Sequence, residues 1–220
     1  MTDANKKSIV ERINDVTKFS LGPLPSNSGW LKPVRVNYVQ DGKSKNWDLA
    51  LVDDGVMIVT FNRSSRKLVF VKQFRPAVYL NRMPKGAEVD FEKYPAKLGV
   101  TIELCGGTVD KNKTLAEIAQ DELKEECGYE APLSAFEYIT TTRSIGAVTG
   151  AQTIFYVEVN DDMHTQAGGG LEEEGELIEV INMSIPEVKE YIKSEDFNSP
   201  LNFLFGIEWF LHNKKNVYEC

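Results

Sequence analysis

Cysteine, histidine and positive charge are all scarce in this chain, and each scarcity closes off a class of function. The cysteines are three, Cys105, Cys127 and Cys220. That number is odd, and no spacing among them suits a zinc site. Reduced, buried thiols in a cytosolic protein are the expectation. The two histidines, His164 and His212, have no visible partner in the sequence and are expected at the surface. Lys and Arg total 25 against 33 Asp and Glu, a formal charge of -8. Such a balance argues against a nucleic-acid partner or a polybasic membrane contact. No run approaches the roughly 18 apolar residues of a membrane span. The start, MTDANKKSIVERIND, lacks the apolar stretch of a secretory signal, so a cytoplasmic location is expected.

What is present suits an enzyme-sized globular fold. With 220 residues, 42% of them hydrophobic and 26% charged, the chain can build one core with a small appended subdomain. Residues 1–29 are polar and broken by GPLPSNSG, and read as a frayed start and a loop. LKPVRVNYVQ and KNWDLALV flank Asp41-Gly42 and read as a hairpin. Together these segments predict an N-terminal β-subdomain over 1–53. VMIVTFN and KLVFVKQFR form a second, strongly β-branched hairpin. Residues 81–99 have no clear period and read as a long loop. VTIELCGG, FEYITTTR, AQTIFYVEV and LIEVINMS are further strands. PEVKEYIK and PLNFLFGIEWFLHN are helices, and Asp161 to Gly170 is loop. Strands of both directions with helices on either side predict a mixed-sheet α/β/α sandwich over 54–220.

Gly107 to Tyr129 is the most informative stretch. Thr114 and Glu117 make a capping box that starts a helix, and Gly128 stops it. At about 100° per residue, Leu115, Ile118, Ala119, Glu122 and Glu126 share one face, whereas Asp121 turns away from it. The stripe begins apolar and ends acidic. Carboxylates on a core-facing stripe are costly to ionise unless a cation compensates them, and magnesium suits a few carboxylates plus substrate phosphates.

In register, Gly107, Glu122, Leu123, Glu125, Glu126, Gly128 and Tyr129 match the Nudix box. The segment resembles that family, whose pattern has Glu where Lys113 stands and Arg where Asp121 stands. The flanking segments QFRPAVY, ELCGG and GGGLEEEGELIEV resemble its nucleotide-sugar branch. The resemblance implies an α/β/α sandwich that binds magnesium (manganese substituting) through Glu122, Glu125, Glu126 and the carbonyl of Gly106. It implies hydrolysis of nucleoside diphosphate sugars, with UDP-glucose first and ADP-ribose second. A binder without catalysis is the rival, raised by the changes at Lys113 and Asp121.

Other residues gain roles from the same likeness. From spacing alone, Arg75 is equally a phosphate clamp or a surface ion pair; the resemblance favours the phosphate. Glu103 would otherwise be a solvent-facing strand residue, and is implied at the substrate pocket, as is Gly150. Trp47 is a core aromatic, or else a platform for the base; core is the preferred reading. Glycines around Glu172 to Glu176 suggest a movable loop. The family's general base maps by register to Glu174 first and Glu176 second. The branch pairs two subunits through the N-terminal hairpin, so a homodimer is expected.

Overall fold

The computed structural model describes residues 7–29, 31–86 and 88–219, so Cys220 lies outside the described residues. The first element corrects the reading of a frayed start. Helix α1 (Ile9–Asn14) opens on a capping box: Ser8 Oγ accepts from the Glu11 amide, and the Glu11 carboxylate accepts from the Ser8 amide. Its Ile13 is only 2% exposed.

Strands β1 (Lys32–Gln40) and β2 (Lys43–Leu51) pair antiparallel in a separate two-stranded sheet. Asp41 and Gly42 both take left-handed φ, 54° and 67°. That is the geometry whose twist matches a tight hairpin. Trp47 stands opposite Val36 on this ribbon and is 53% exposed. It is therefore not a core aromatic of this chain: a two-stranded ribbon has no second layer under which to bury it.

The remaining strands are β3 (Gly55–Asn62), β4 (Lys67–Phe74), β5 (Val100–Glu103), β6 (Cys105–Thr108), β7 (Glu137–Arg143), β8 (Ala151–Val159) and β9 (Glu179–Ser184). They form one seven-stranded sheet. β3 and β8 run parallel at its centre, and the other pairings are antiparallel. The run from Val100 to Gly107 changes partner at Leu104. Before that residue it pairs with β4, and after it with β3.

Helix α2 (Pro76–Arg82) follows β4 and shortens the loop expected there. Helix α3 (Leu115–Cys127) covers one sheet face. Val56 and Ile58 of β3 pack there with Ile118, Ala119, Leu123 and Cys127. Helices α4 (Ile185–Tyr191) and α5 (Leu201–Asn213) cover the other. Val59 and Phe61 meet Val188, Phe203, Ile207 and Phe210 on that side. The period-two alternation along β3 thus feeds both cores of an α/β/α sandwich. A last turn, α6 (Lys215–Tyr218), closes the chain. Among the described residues, no helix is long and apolar enough to cross a membrane.

Candidate active site

The strand-to-helix junction at β6 and α3 builds the site. Thr114 caps α3 as expected, and Gly128 ends it in the left-handed conformation, φ 78°. Gly107 permits a close approach: a Cβ there would sit 2.3 Å from Glu122 Oε1. Only glycine lets the Glu122 carboxylate lie against the strand backbone. The buried face of α3 differs from the projection in one respect. Leu115 is 38% exposed, while Leu123 and Cys127 are fully buried. Leu115 lines a cleft with Thr141, Arg143 and Thr153 instead, so the stripe that faces the core shifts by a residue toward the C-terminus.

Glu126 is 3% exposed, and its Oε2 accepts from the Gly106 amide at 2.8 Å. Burial pushes its pKa up to about 8, against the Gly106 bond, with Glu122 and Glu176 adding repulsion. Glu122 is raised to about 7, first by burial, then by the charge of Glu125. These are carboxylates short of positive charge. Lys111 partly supplies it, with Nζ 3.7 Å from Glu125.

A cavity of about 710 Å³ opens over these groups. Glu122, Glu125, Glu174 and Glu176 line it, and Arg75 and Lys111 face them. Glu103 stands behind Arg75, accepting from Nε at 2.8 Å and Nη2 at 2.7 Å. Arg75 is thus both ion-paired and at the cavity wall. Its charge is held firmly by the Glu103 bonds, and Glu126 and Glu176 act in the same sense. Glu103 is buried and not the solvent-facing strand residue that its position alone suggested.

The acidic loop is fastened to the end of α3. Gly169 N donates to Glu126 O at 2.8 Å, and Gly170 N to Glu125 O at 3.2 Å. Gly168 must be glycine, since a Cβ would meet Glu126 O at 2.4 Å and its φ is 69°. These amides satisfy carbonyls that a helix end leaves open. Beyond them, Glu172–Glu174 forms a 3-10 turn, and Glu176 Oε2 accepts from the Leu171 amide at 2.9 Å.

Two expected residues are not brought to the cavity. Trp47 stands on the β1–β2 ribbon. Gly150 lines a different cleft with Thr149 and Arg143, where its φ of 99° and the nearby Asp53 carbonyl demand glycine. Its role is a turn. Both histidines are exposed, as expected. Lys111 and Arg12, which lines the cavity from α1, were missed. A Lys inside an acidic box is a local signal for the first. The capping pair Ser8 and Glu11 is the signal for the helix carrying the second.

Lys113 and Asp121, the two departures from the Nudix pattern, are partners. Lys113 Nζ donates to Asp121 Oδ2. The pattern's Glu and Arg are exchanged in sign rather than lost.

Among the described residues, no three His, Cys, Asp or Glu side chains form a ready-made metal cage. The donor set still fits magnesium, which binds hard oxygens, uses few carboxylates per ion and keeps open positions for water and phosphate oxygens. Glu122 and Glu126, both short of compensating charge, have the chemistry such an ion would need.

The α/β/α sandwich and the carboxylates gathered at one cavity are the arrangement that the resemblance to Nudix hydrolases implied. No protein-family model matches the chain. Whole-chain relatives do. It is 40% identical over 197 residues to the bovine (Bos taurus) uridine diphosphate glucose pyrophosphatase NUDT14, covering 83% of this chain and 89% of that one. The mouse (Mus musculus) protein of the same name is 37% identical over 215 residues, covering 91% and 95%. A GDP-mannose pyrophosphatase of Cronobacter sakazakii is 30% identical over 142 residues, 64% of each chain. The chain therefore belongs to the Nudix family, in the group of the uridine diphosphate glucose pyrophosphatases.

Proposed function

We propose that the protein is a magnesium-dependent pyrophosphatase that converts UDP-glucose and water into UMP and glucose 1-phosphate. One observation carries the reading: a single cavity sets the cations Arg75 and Lys111 against Glu122 and Glu125, with buried Glu126 directly behind. The printed names of the mammalian relatives supply the sugar nucleotide.

Magnesium, when bound, would neutralise charge on the diphosphate and make its phosphorus easier to attack. Glu122, Glu125 and Glu126 would hold it, with manganese as a substitute. The Gly106 carbonyl is a further candidate ligand by resemblance. Arg75, braced by Glu103 through Nε and Nη2, has its Nη1 donors left for a phosphate oxygen. A carboxylate of the acidic loop would take the proton of the attacking water. Support for Glu176 over Glu174 comes from charge. Glu176 acts on Arg75, Glu122 and Glu126, whereas Glu174 is exposed at the outer wall.

A homodimer is part of the proposal. Its support is the ribbon of β1 and β2, which leaves Val36, Tyr38, Val39 and Trp47 exposed. A two-stranded hairpin is marginal alone, and a second copy is the natural cover. Trp47 would then reach a substrate pocket from the opposite subunit. The cytoplasm is the proposed location, supported by free, buried Cys105 and Cys127.

The test is direct. Purified protein with magnesium is given UDP-glucose, ADP-ribose and GDP-mannose in separate reactions, and nucleotide products are separated by anion exchange. UMP released fastest is the expected result. Preference for ADP-ribose would move the protein to another substrate. Tight UDP-glucose binding with no UMP would make it a binder.

A further inference from the structure

The segment ahead of the first hairpin contributes no residue to the Nudix box, yet it forms one wall of the cavity. Two anchors lay it there. Ile13 is buried to 2% exposure, and the Phe19 ring lies 5.3 Å from that of fully buried Tyr79 in α2. Around the first anchor, Arg12, Asp15 and Val16 line the cavity at the end of β4, beside Arg75.

Arg12 then reaches across to the acidic loop. Its Nη2 donates to Glu172 Oε1 at 2.6 Å. Glu172 opens a tightly closed turn. Glu174 N donates to Leu171 O at 2.9 Å, Gly175 N to Glu172 O at 3.1 Å, and Glu176 N to Leu171 O at 3.2 Å. The Glu176 carboxylate closes the ring onto the Leu171 amide. A turn closed this way is braced within itself, with three glycines ahead of it and a fourth inside it. Gly168, Gly169, Gly170 and Gly175 all have positive φ, a conformation that glycine adopts and leaves readily.

We infer that α1 is a latch for the acidic turn, and that Arg12 is a positioning residue that sets where Glu174 and Glu176 stand over the box glutamates. The inference rests on the proposed hydrolase reading only for its kinetic consequence. An exposed ion pair contributes little to global stability. A flexible turn is different, because a small bias changes its population several-fold. The grip is also indirect and specific. Ile13 fixes α1 to the sheet, α1 fixes Arg12, and Arg12 fixes the turn. Among the described residues, Arg12 makes no hydrogen bond or ion pair to a box residue, so its loss should misplace the turn without emptying the site.

The experiment has two arms. In the first, amide hydrogen exchange of the metal-free protein compares wild type, Arg12→Ala, Arg12→Lys, and the swapped pair Arg12→Glu with Glu172→Arg. Exchange at Glu174, Gly175 and Glu176 should rise about three- to tenfold in Arg12→Ala. It should return toward wild type in the swap, with Arg12→Lys between. This arm needs no turnover, so it separates failure of the latch from failure of the hydrolase reading. Unchanged exchange in Arg12→Ala would overturn the latch. In the second arm, kcat and KM for UDP-glucose are measured with magnesium. Arg12→Ala should lower kcat about three- to tenfold with KM nearly unchanged, and the swap should recover most of it. A raised KM with intact kcat would instead make Arg12 a phosphate-binding cation and overturn the positioning role.

Discussion

The exchanged pair at Lys113 and Asp121 makes a sharp prediction, because sequence and structure give it opposite signs. Restoring the family residue by Asp121→Arg should preserve or raise activity on the sequence pattern alone. In the fold, Asp121 holds the Lys113 ammonium, and both side chains are partly exposed, 45% for Lys113 and 26% for Asp121. Asp121→Arg removes that contact and sets two cations together. Pairs of this exposure couple by about 0.2–1 kcal/mol, and like charges cost a similar amount. The single change should therefore destabilise by about 1 kcal/mol, lowering Tm by about 2–4 °C in a chain of this length. Lys113→Glu should behave alike, since it sets Glu beside Asp121. The double change restores an ion pair of the family's own sign, and should return Tm to within about 1 °C of wild type. Thermal unfolding of the four proteins in metal-free buffer measures the coupling. UDP-glucose turnover should follow the same order, because the pair ties the loop carrying Lys111 to the helix carrying Glu122 and Glu125. If the double variant were as unstable as the two single losses added together, the pair would contribute nothing. If Asp121→Arg alone matched or exceeded wild type, the sequence expectation would stand instead.

Glu126→Gln should keep the fold, since the amide oxygen can still accept from Gly106, but lose at least about a hundredfold in kcat at saturating magnesium. Near-normal turnover would remove Glu126 from the metal site. Glu176→Gln should lower kcat more than Glu174→Gln, with KM little altered in both. The reverse order would return the base to the residue that register favours. Glu122 and Glu126 are raised from 4.5 to about 7 and about 8. The native state therefore holds more protons than the unfolded chain from about pH 4.5 to 8. Their contribution to stability is present at low pH and is lost as pH rises through that window. Thermal melts in a chelator should fall from pH 5 to 8, less steeply in Glu126→Gln. Magnesium should raise Tm more at pH 8 than at pH 6, because it requires ionised ligands. A flat chelated curve would contradict the burial argument. Light scattering at micromolar concentration should give about twice 24.7 kDa; the monomer mass would remove the dimer.

Much of the architecture was legible because its signals are local. The β-branched runs of β3 and β4, the capped and glycine-stopped α3, and the apolar α5 each declare themselves within a window of their own length. The box glutamates were legible through their spacing. What escaped reading depends on partners far away in sequence. Nothing near Leu104 announces that one strand will serve two neighbours. Trp47 looks like a core residue until its ribbon proves to have no second layer. Leu115 has the right angle on the helix but faces an open cleft beside Thr141 and Arg143. α1 is too short for a periodic pattern, and only Ser8 and Glu11 advertise it. Arg12 acquires its role from Glu172, which no local rule could pair with it.

The glycines after the box have a further consequence. The peptide carbonyls that receive Gly169 and Gly170 belong to Glu126 and Glu125, whose side chains are the proposed ligands. If those bonds shift with the ligand carboxylates, loop conformation and ion affinity become two faces of one equilibrium. A substrate analogue that draws the loop inward must raise the affinity for magnesium by the same factor by which magnesium raises affinity for the analogue. Substrate affinity would then vary with the concentration of free magnesium.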